Sequence, residues 1–224
     1  MQLLNRPRQY IAFALAAVAG LVDSAGFMAS GGYFLSFMSG NSTRFAVDVS
    51  NKMSSAVLVG GLLVSFVFGV TSGGLVGRAL SVNSRKSLIA FVVALLLFAA
   101  PLLAASFDMW AALWISAFAM GMVNMMFIRD GKAAVGLTYM TGALVNIGQA
   151  LALRISGEKR VRTPYLGLWI GFVMGATSGA ISFHILGFFA LWIGAALLFA
   201  ISIYFYLERE QFVDGTTGSN TDII

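Results

Sequence analysis

The sequence predicts an all-α polytopic membrane protein with six transmembrane helices, two re-entrant or broken segments and two inverted-topology repeats. Three observations lead there: the composition, the placement of the basic residues, and a repeat within the chain. Of the 224 residues only 10% are charged, and the mean hydropathy is +0.88. Soluble domains carry about 25% charged residues. This chain cannot clothe a water-facing surface, so the lipid bilayer is its first expected partner.

The formal net charge of +5 does not point to nucleic acid, because the Lys and Arg residues sit in short clusters between apolar runs. Membrane topology accounts for such clusters. There is no cysteine, which excludes disulfides, thiolate metal sites and Cys nucleophiles. A single histidine, His184, cannot build a histidine metal cluster. The chain holds no nucleophile elbow, zinc-protease helix motif, phosphate-binding Gly-rich loop or carboxylate cluster. It is expected not to be an enzyme and to need no cofactor or metal.

A crossing helix needs about 20 apolar residues. Six segments meet this, at about 9–30, 54–77, 87–106, 108–128, 164–184 and 186–207, with a tolerable Pro101 inside the third. Two more are ambiguous. Residues 33–51 are short and polar, and 133–153 carry Thr138, Thr141, Asn146 and Gln149. If only the six cross and the N-terminus is cytoplasmic, 12 Lys and Arg residues are cytoplasmic, against 2, Arg44 and Lys52, outside. If all eight cross, the split is 9 against 5, and Arg78, Arg85 and Lys86 are stranded outside. The positive-inside rule favours six crossings with both termini cytoplasmic. Eight spans in two parallel repeats are the alternative. The chain reads as one transmembrane domain, 1–224, whose end, 208–224, is expected to be a mobile cytoplasmic tail.

The repeat shows in four matched pairs: "GLVDSAGFM" at 20–28 with "GMVNMMFIR" at 121–129, "SFMSGNSTRF" at 36–45 with "TYMTGALVNI" at 138–147, "FVFGVTSGG" at 66–74 with "FVMGATSGA" at 172–180, and "ALLLFAA" at 94–100 with "AALLFAI" at 195–201. The order is kept and the offsets are 101, 102, 106 and 101. The halves are 9–106 and 108–207, each reading span, ambiguous segment, span, span. With three crossings per half the second half is inverted, an architecture typical of transporters, whose sites lie near the midplane between repeats.

The same residues resemble a known family. "GLVDSAGF", "FMSGN", "AMGMVN" at 119–124 and "TYMTG" at 138–142 look like the recurring motifs of the YoaK family of bacterial integral membrane proteins, a domain of unknown function. The resemblance covers roughly 15–185, and departs from the family at Val123, where a Gln often precedes the Asn matched by Asn124. It implies a bacterial inner-membrane location and supplies no substrate.

Function must come from the polar residues among the spans. Asp23 is an acid well inside a clear span, where an ionised group is costly unless paired or hydrated. Arg44, on the same half of the membrane, is its expected partner, and the pair would form a gate. The matched positions in the second half are Asn124 and Asn146, which would satisfy each other as amides. Ser39, Gly40, Asn41 and Thr43, with Thr141 and Gly142 in the other half, are expected to line a path. A short helix capped near Asn41 would present free N–H groups there. Gly69, Gly73 and Gly77, and Gly171, Gly175 and Gly179, stand at i, i+4, i+8 as helix-packing faces. The expected function is transport or channel-like passage of a small polar or anionic solute at the repeat interface. The alternative is a non-transporting membrane scaffold or sensor whose polar residues only lock helix packing. A homodimer through a glycine face is a further expected partner.

Overall fold

The computed structural model describes residues 6–129, 132–133, 140–157 and 163–217. Among them are eight α-helices: α1 (Arg6–Ser30), α2 (Met38–Asn51), α3 (Met53–Ala79), α4 (Val82–Ser106), α5 (Met109–Val123), α6 (Met140–Ile155), α7 (Pro164–Leu186) and α8 (Leu191–Thr217). A two-residue hairpin after α5 pairs β1 (Ile128–Arg129) with β2 (Lys132–Ala133), and a 3-10 turn, Gly187–Ala190, joins α7 to α8. Four helical runs are long and apolar enough to cross a membrane: Gln9–Ser30, Met53–Ala79, Ser84–Ser106 and Pro164–Glu208, the last made of α7 and α8 together. The protein is a helical, multi-pass membrane protein.

The boundaries differ from those expected of the sequence in two places. The span expected over 108–128 ends as a helix at Val123, because the chain tightens there: Met125 N–H bonds Met122 O, and Met126 N–H bonds Val123 O. Helix α8 continues through 208–217, where the sequence suggests a solvated end. Residues 218–224, and 134–139 of the second ambiguous segment, lie outside the described residues.

Packing is arranged in three long pairs, α1 on α7, α3 on α5 and α4 on α8. Close backbone approach at glycine sets the first two. A Cβ at Gly20 would collide with Phe172 O and Ala176 N of α7, and one at Gly121 would collide with Phe66 O and Val70 N of α3. Likewise a Cβ at Gly175 would strike Ala17 O, and one at Gly69 would strike Phe118 O. Gly179 sits on Leu21 O as Gly73 sits on Met122 O. Each contact in one pair is the repeat image of a contact in the other. Such crossings let the two backbones meet without intervening side chains. Gly171 joins them against Phe13 O, while Gly77 is half-buried. The sequence pattern places the packing face on α3 and α7 and misses Gly20 and Gly121, which complete it from the facing helices.

The contacts also give direction. Along α1, residues 13, 17 and 21 meet 171, 175 and 179, so α1 and α7 run the same way. Along α3, residues 61, 69 and 73 meet 114, 118 and 122, so α3 and α5 also run the same way. Helices α4 and α8 run opposite ways: Ser87 bonds Ser202, the Phe91 and Phe199 rings lie 6.1 Å apart, and Phe98 stacks on Trp192 at 5.1 Å. The last two contacts exchange under the 101-residue offset of the repeat. The core runs through α1, α4 and α5, where Leu15, Val22, Ile89, Leu97, Leu113 and Met120 are buried.

Adding a methyl group at the close crossings is expected to lower stability. Gly121→Ala and Gly175→Ala should each cost about 1–3 kcal/mol through overpacking, read from unfolding curves in detergent. Gly142→Ala, which meets nothing within 4 Å, should stay within about 0.5 kcal/mol of wild type.

Candidate functional site

The two first-half motifs fold against each other. Helix α1 ends at Ser30 because Gly31, at φ 73°, reverses the chain and Gly32 N–H closes on Phe27 O at 2.8 Å. This is the glycine-terminated helix end that a left-handed residue permits. Ser30 Oγ accepts from Tyr33 N–H at 2.9 Å and donates to Tyr33 O at 3.0 Å, so the chain turns back along α1 instead of leaving it.

Asp23 receives the returning loop. Its Oδ1 accepts from Leu35 N–H at 2.8 Å and Ser36 N–H at 2.6 Å, and its Oδ2 accepts from the Ser36 hydroxyl at 2.7 Å. Asp23 is 3% exposed. One turn on, the absent side chain of Gly26 makes the seat for Leu35, since a Cβ there would clash with the Leu35 side chain. The motif "DSAG" is thus one device: the acid holds the loop backbone and the glycine admits its side chain.

The second motif clamps the loop from the other side. Asn41 Oδ1 accepts from Phe34 N–H at 2.9 Å, and its Nδ2 donates to Phe34 O at 2.6 Å. Gly40 leaves room for the Phe37 ring, which a Cβ would meet at 2.5 Å. From this depth α2 climbs back outward. Tyr33 Oη donates to Asp48 Oδ2 at 2.8 Å near its far end. Burial and then that hydrogen bond raise the Tyr33 phenol above its ordinary pKa. From Ser30 back to the level of Asp23 is seven residues of α1, or about 10 Å. Residues 31–51 form a hairpin that enters and leaves at one end of the bundle.

Several expectations from the sequence are corrected here. The expected Asp23–Arg44 ion pair does not form. Arg44 is exposed and lies over the Phe27 and Tyr33 rings, at 5.8 and 5.5 Å from their centroids. The reason is that the loop's own N–H groups reach Asp23 first and cannot be left unbonded at that depth. The short helix does not start near Asn41 but at Met38, with Phe37 before it and no side-chain cap, because the Asn41 amide is engaged by Phe34. Asn124 and Asn146 do not satisfy each other: Asn124 donates to Met120 O at 2.8 Å and Asn146 to Gly142 O at 2.7 Å.

The remaining candidates stand apart from Asp23. Ser39 and Thr43 are exposed on α2, where the Thr43 hydroxyl bonds back to Ser39 O at 3.3 Å. Thr141 and Gly142 are exposed in the first turn of α6. Helix α2 packs on α3 and α6 on α7. Ser36 is not among the residues expected from the sequence, although it stands in the "SFMSGNSTRF" stretch; a hydroxyl beside two backbone N–H groups is a natural carboxylate seat. Lys86 is another, since in the sequence it counts only as a topology charge. Lys86 is 3% exposed, with its ammonium 5.5 Å from the Phe127 ring and 5.0 Å from the Phe205 ring.

Over residues 11–204 the chain matches the family described as "Protein of unknown function (DUF1275)". The chain belongs to this family. A relative, the "UPF0700 transmembrane protein RA0705" of Rhizobium meliloti (strain 1021), is 34% identical over 217 residues, covering 94% of each chain. The resemblance read from the motifs is consistent with this membership. No solved structure matches the chain.

The loop contacts can be read out with a single introduced cysteine, as the chain has none of its own. In Leu35→Cys the thiol should be protected from a water-soluble maleimide. Adding Asp23→Ala should speed labelling about tenfold or more, as hydrogen bonds to a charged group are worth about 1.5–3 kcal/mol each. Adding Arg44→Gln should change it by less than about twofold, as for a solvated cation.

Proposed function

We propose that the chain is a six-crossing transporter or channel-like protein of the bacterial inner membrane, with both termini cytoplasmic, built from two inverted repeats and passing a small polar or anionic solute between them. Its work on this reading is passage rather than catalysis.

The observation that carries it is the direction of the helix pairs. Matched helices α4 and α8 run antiparallel, while α1 runs with α7 and α3 with α5. If every helix crossed, α4 and α8 would be four crossings apart and parallel. Removing α6 alone would turn α1 against α7. Removing both α2 and α6 satisfies all three pairs. Length alone does not separate them from the crossing helices, since α5, a crossing on this reading, has 15 residues against 14 in α2 and 16 in α6; the polar sequence of α2 agrees with its not crossing. Two repeats of opposite sense that exchange their outer helices form a shared interface, where transporter sites lie.

On this reading Asp23 is a latch on the outer re-entrant hairpin rather than a solute ligand. Opening the hairpin about Gly31 and Gly32 would free Ser36 and the N–H groups of Leu35 and Ser36, donors suited to an anion or a neutral polar solute. A second reading, a scaffold or sensor without transport, is favoured by the full engagement of the Asp23 and Asn41 side chains with the loop.

Solute flux separates the two. Liposomes containing the chain should pass at least one member of a panel of small anions and neutral polar solutes above empty liposomes. Asp23→Asn should change that rate by about tenfold, the scale of one charge-assisted hydrogen bond. A panel that never exceeds empty liposomes, with the chain shown folded, would leave the scaffold.

A further inference from the structure

Two bodies meet where the hairpin enters the bundle. One is α1 with α7, joined backbone to backbone at Gly20, Gly175 and Gly179. The other is the hairpin with α3 and α5. Trp114 Nε1 of α5 donates to Leu58 O of α3 at 3.0 Å. The Tyr33 ring of the hairpin lies 5.9 Å from the Trp110 ring of α5. The Phe45 ring of α2 rests on Gly60 of α3, where a Cβ would meet it at 3.4 Å. Lys52 N–H, between those two helices, closes on Asp48 O at 2.6 Å.

The hairpin is also closed on itself. Asn41 holds both backbone groups of Phe34, at 2.9 and 2.6 Å, and Tyr33 Oη donates to Asp48 Oδ2 at 2.8 Å. The Phe34 and Phe37 rings meet edge to face at 5.2 Å. None of these contacts involves α1. Asn41 therefore satisfies Phe34 whether or not the hairpin touches α1, as buried backbone in a membrane protein requires.

The hydrogen bonds that do cross to α1 lie at two levels. At the pivot, Gly31 and Gly32 stand at φ 73° and 128°, Gly32 N–H bonds Phe27 O, and Ser30 Oγ bonds both backbone groups of Tyr33. About 10 Å deeper, Asp23 accepts from Leu35 N–H, Ser36 N–H and the Ser36 hydroxyl. Between the two levels are apolar contacts, which have no preferred direction. Leu35 sits in the seat of Gly26, and the Phe27 and Phe34 rings lie 4.9 Å apart. Arg44 reaches the Phe27 ring from an exposed position.

We propose that this end of the bundle parts along one seam, between α1 and residues 33–51. The hairpin travels as a single body with α3 and α5, the chain turns at Gly31 and Gly32, and Asp23 is the clasp across the seam. Parting then breaks the three bonds to Asp23 and keeps those of Asn41 and Asp48. The inference rests on the hairpin opening of the reading above, and it requires no solute.

The test is residue-resolved amide hydrogen exchange of the full chain in detergent micelles, which reports local opening group by group. In Asp23→Ala the protection of Leu35 and Ser36 should fall about tenfold or more, the scale of hydrogen bonds to a charged group. Phe34 and Lys52 should change by less than about twofold, since their bonds lie within one body. In Asn41→Ala the fall should appear at Phe34. A short thiol-to-thiol crosslink between Phe27→Cys and Phe34→Cys spans the seam, and in the Asp23→Ala background it should restore the protection of Leu35 and Ser36. The same crosslink between Phe45→Cys and Gly60→Cys lies inside the moving body and should not. Loss of protection at Phe34 together with Leu35 in Asp23→Ala would mean that the loop melts in place, and overturns the proposal. So does unchanged protection of Leu35 and Ser36 in Asp23→Ala, or rescue by the Phe45–Gly60 crosslink. A chain that passes no solute removes the transporter and leaves this result standing, whereas a seam that fails here leaves any measured flux in place.

Discussion

Two helix backbones can touch only where no side chain stands between them, and this structure turns on that constraint at six glycines. Gly20, Gly175 and Gly179 bring α1 against α7; Gly69, Gly73 and Gly121 bring α3 against α5. Lipid gives no hydrophobic reward for joining helices, so close van der Waals contact and the weak Cα–H···O contacts it allows must hold them. Because α1, α3 and α4 of one half lie against α7, α5 and α8 of the other, neither half is closed without its partner. Helices α4 and α8, packed antiparallel, fill the middle.

The Asp23 site follows from a second demand of the same solvent. A chain that turns back into the bundle carries unpaired N–H and C=O groups, and each must find a partner inside the protein. Asp23 answers for Leu35 and Ser36, and Asn41 answers for both backbone groups of Phe34. The Asp23 carboxyl group is held by neutral hydrogen-bond donors rather than by a cation, and Arg44 lies on the rings of Phe27 and Tyr33. The second half does without the acid. At Asn124 the matched helix has already stopped, and the amide turns back onto Met120 O.

Much of this was legible in the sequence because apolar length, basic clusters and repeated glycines are local signals. Apolar length marked where helices lie, and repeated glycines marked the packing faces of "FVFGVTSGG" and its copy. Partners were not legible. The acid was paired with the nearest base because charges are visible in a sequence, whereas the loop N–H groups that occupy Asp23 belong to every residue and mark none. Asn41 read as a helix cap for the same reason: its residue type suits a cap, and only the fold shows that Phe34 takes its amide. The end of α5 at Val123 was hidden inside an unbroken apolar run. Of the facing glycines, Gly121 stands alone in α5 and Gly20 shares α1 only with Gly26, so neither shows the four-residue spacing that drew attention to α3 and α7.

The central claim is that α2 returns to the face it left. Single cysteines at Ser30 and Lys52, just before and just after the hairpin, decide it in sealed right-side-out and inverted vesicles. A six-crossing chain should label both positions with an impermeant maleimide from the periplasmic side and neither from the cytoplasmic side. Labelling of Ser30 from one side and Lys52 from the other would make α2 a crossing and contradict the inverted repeat.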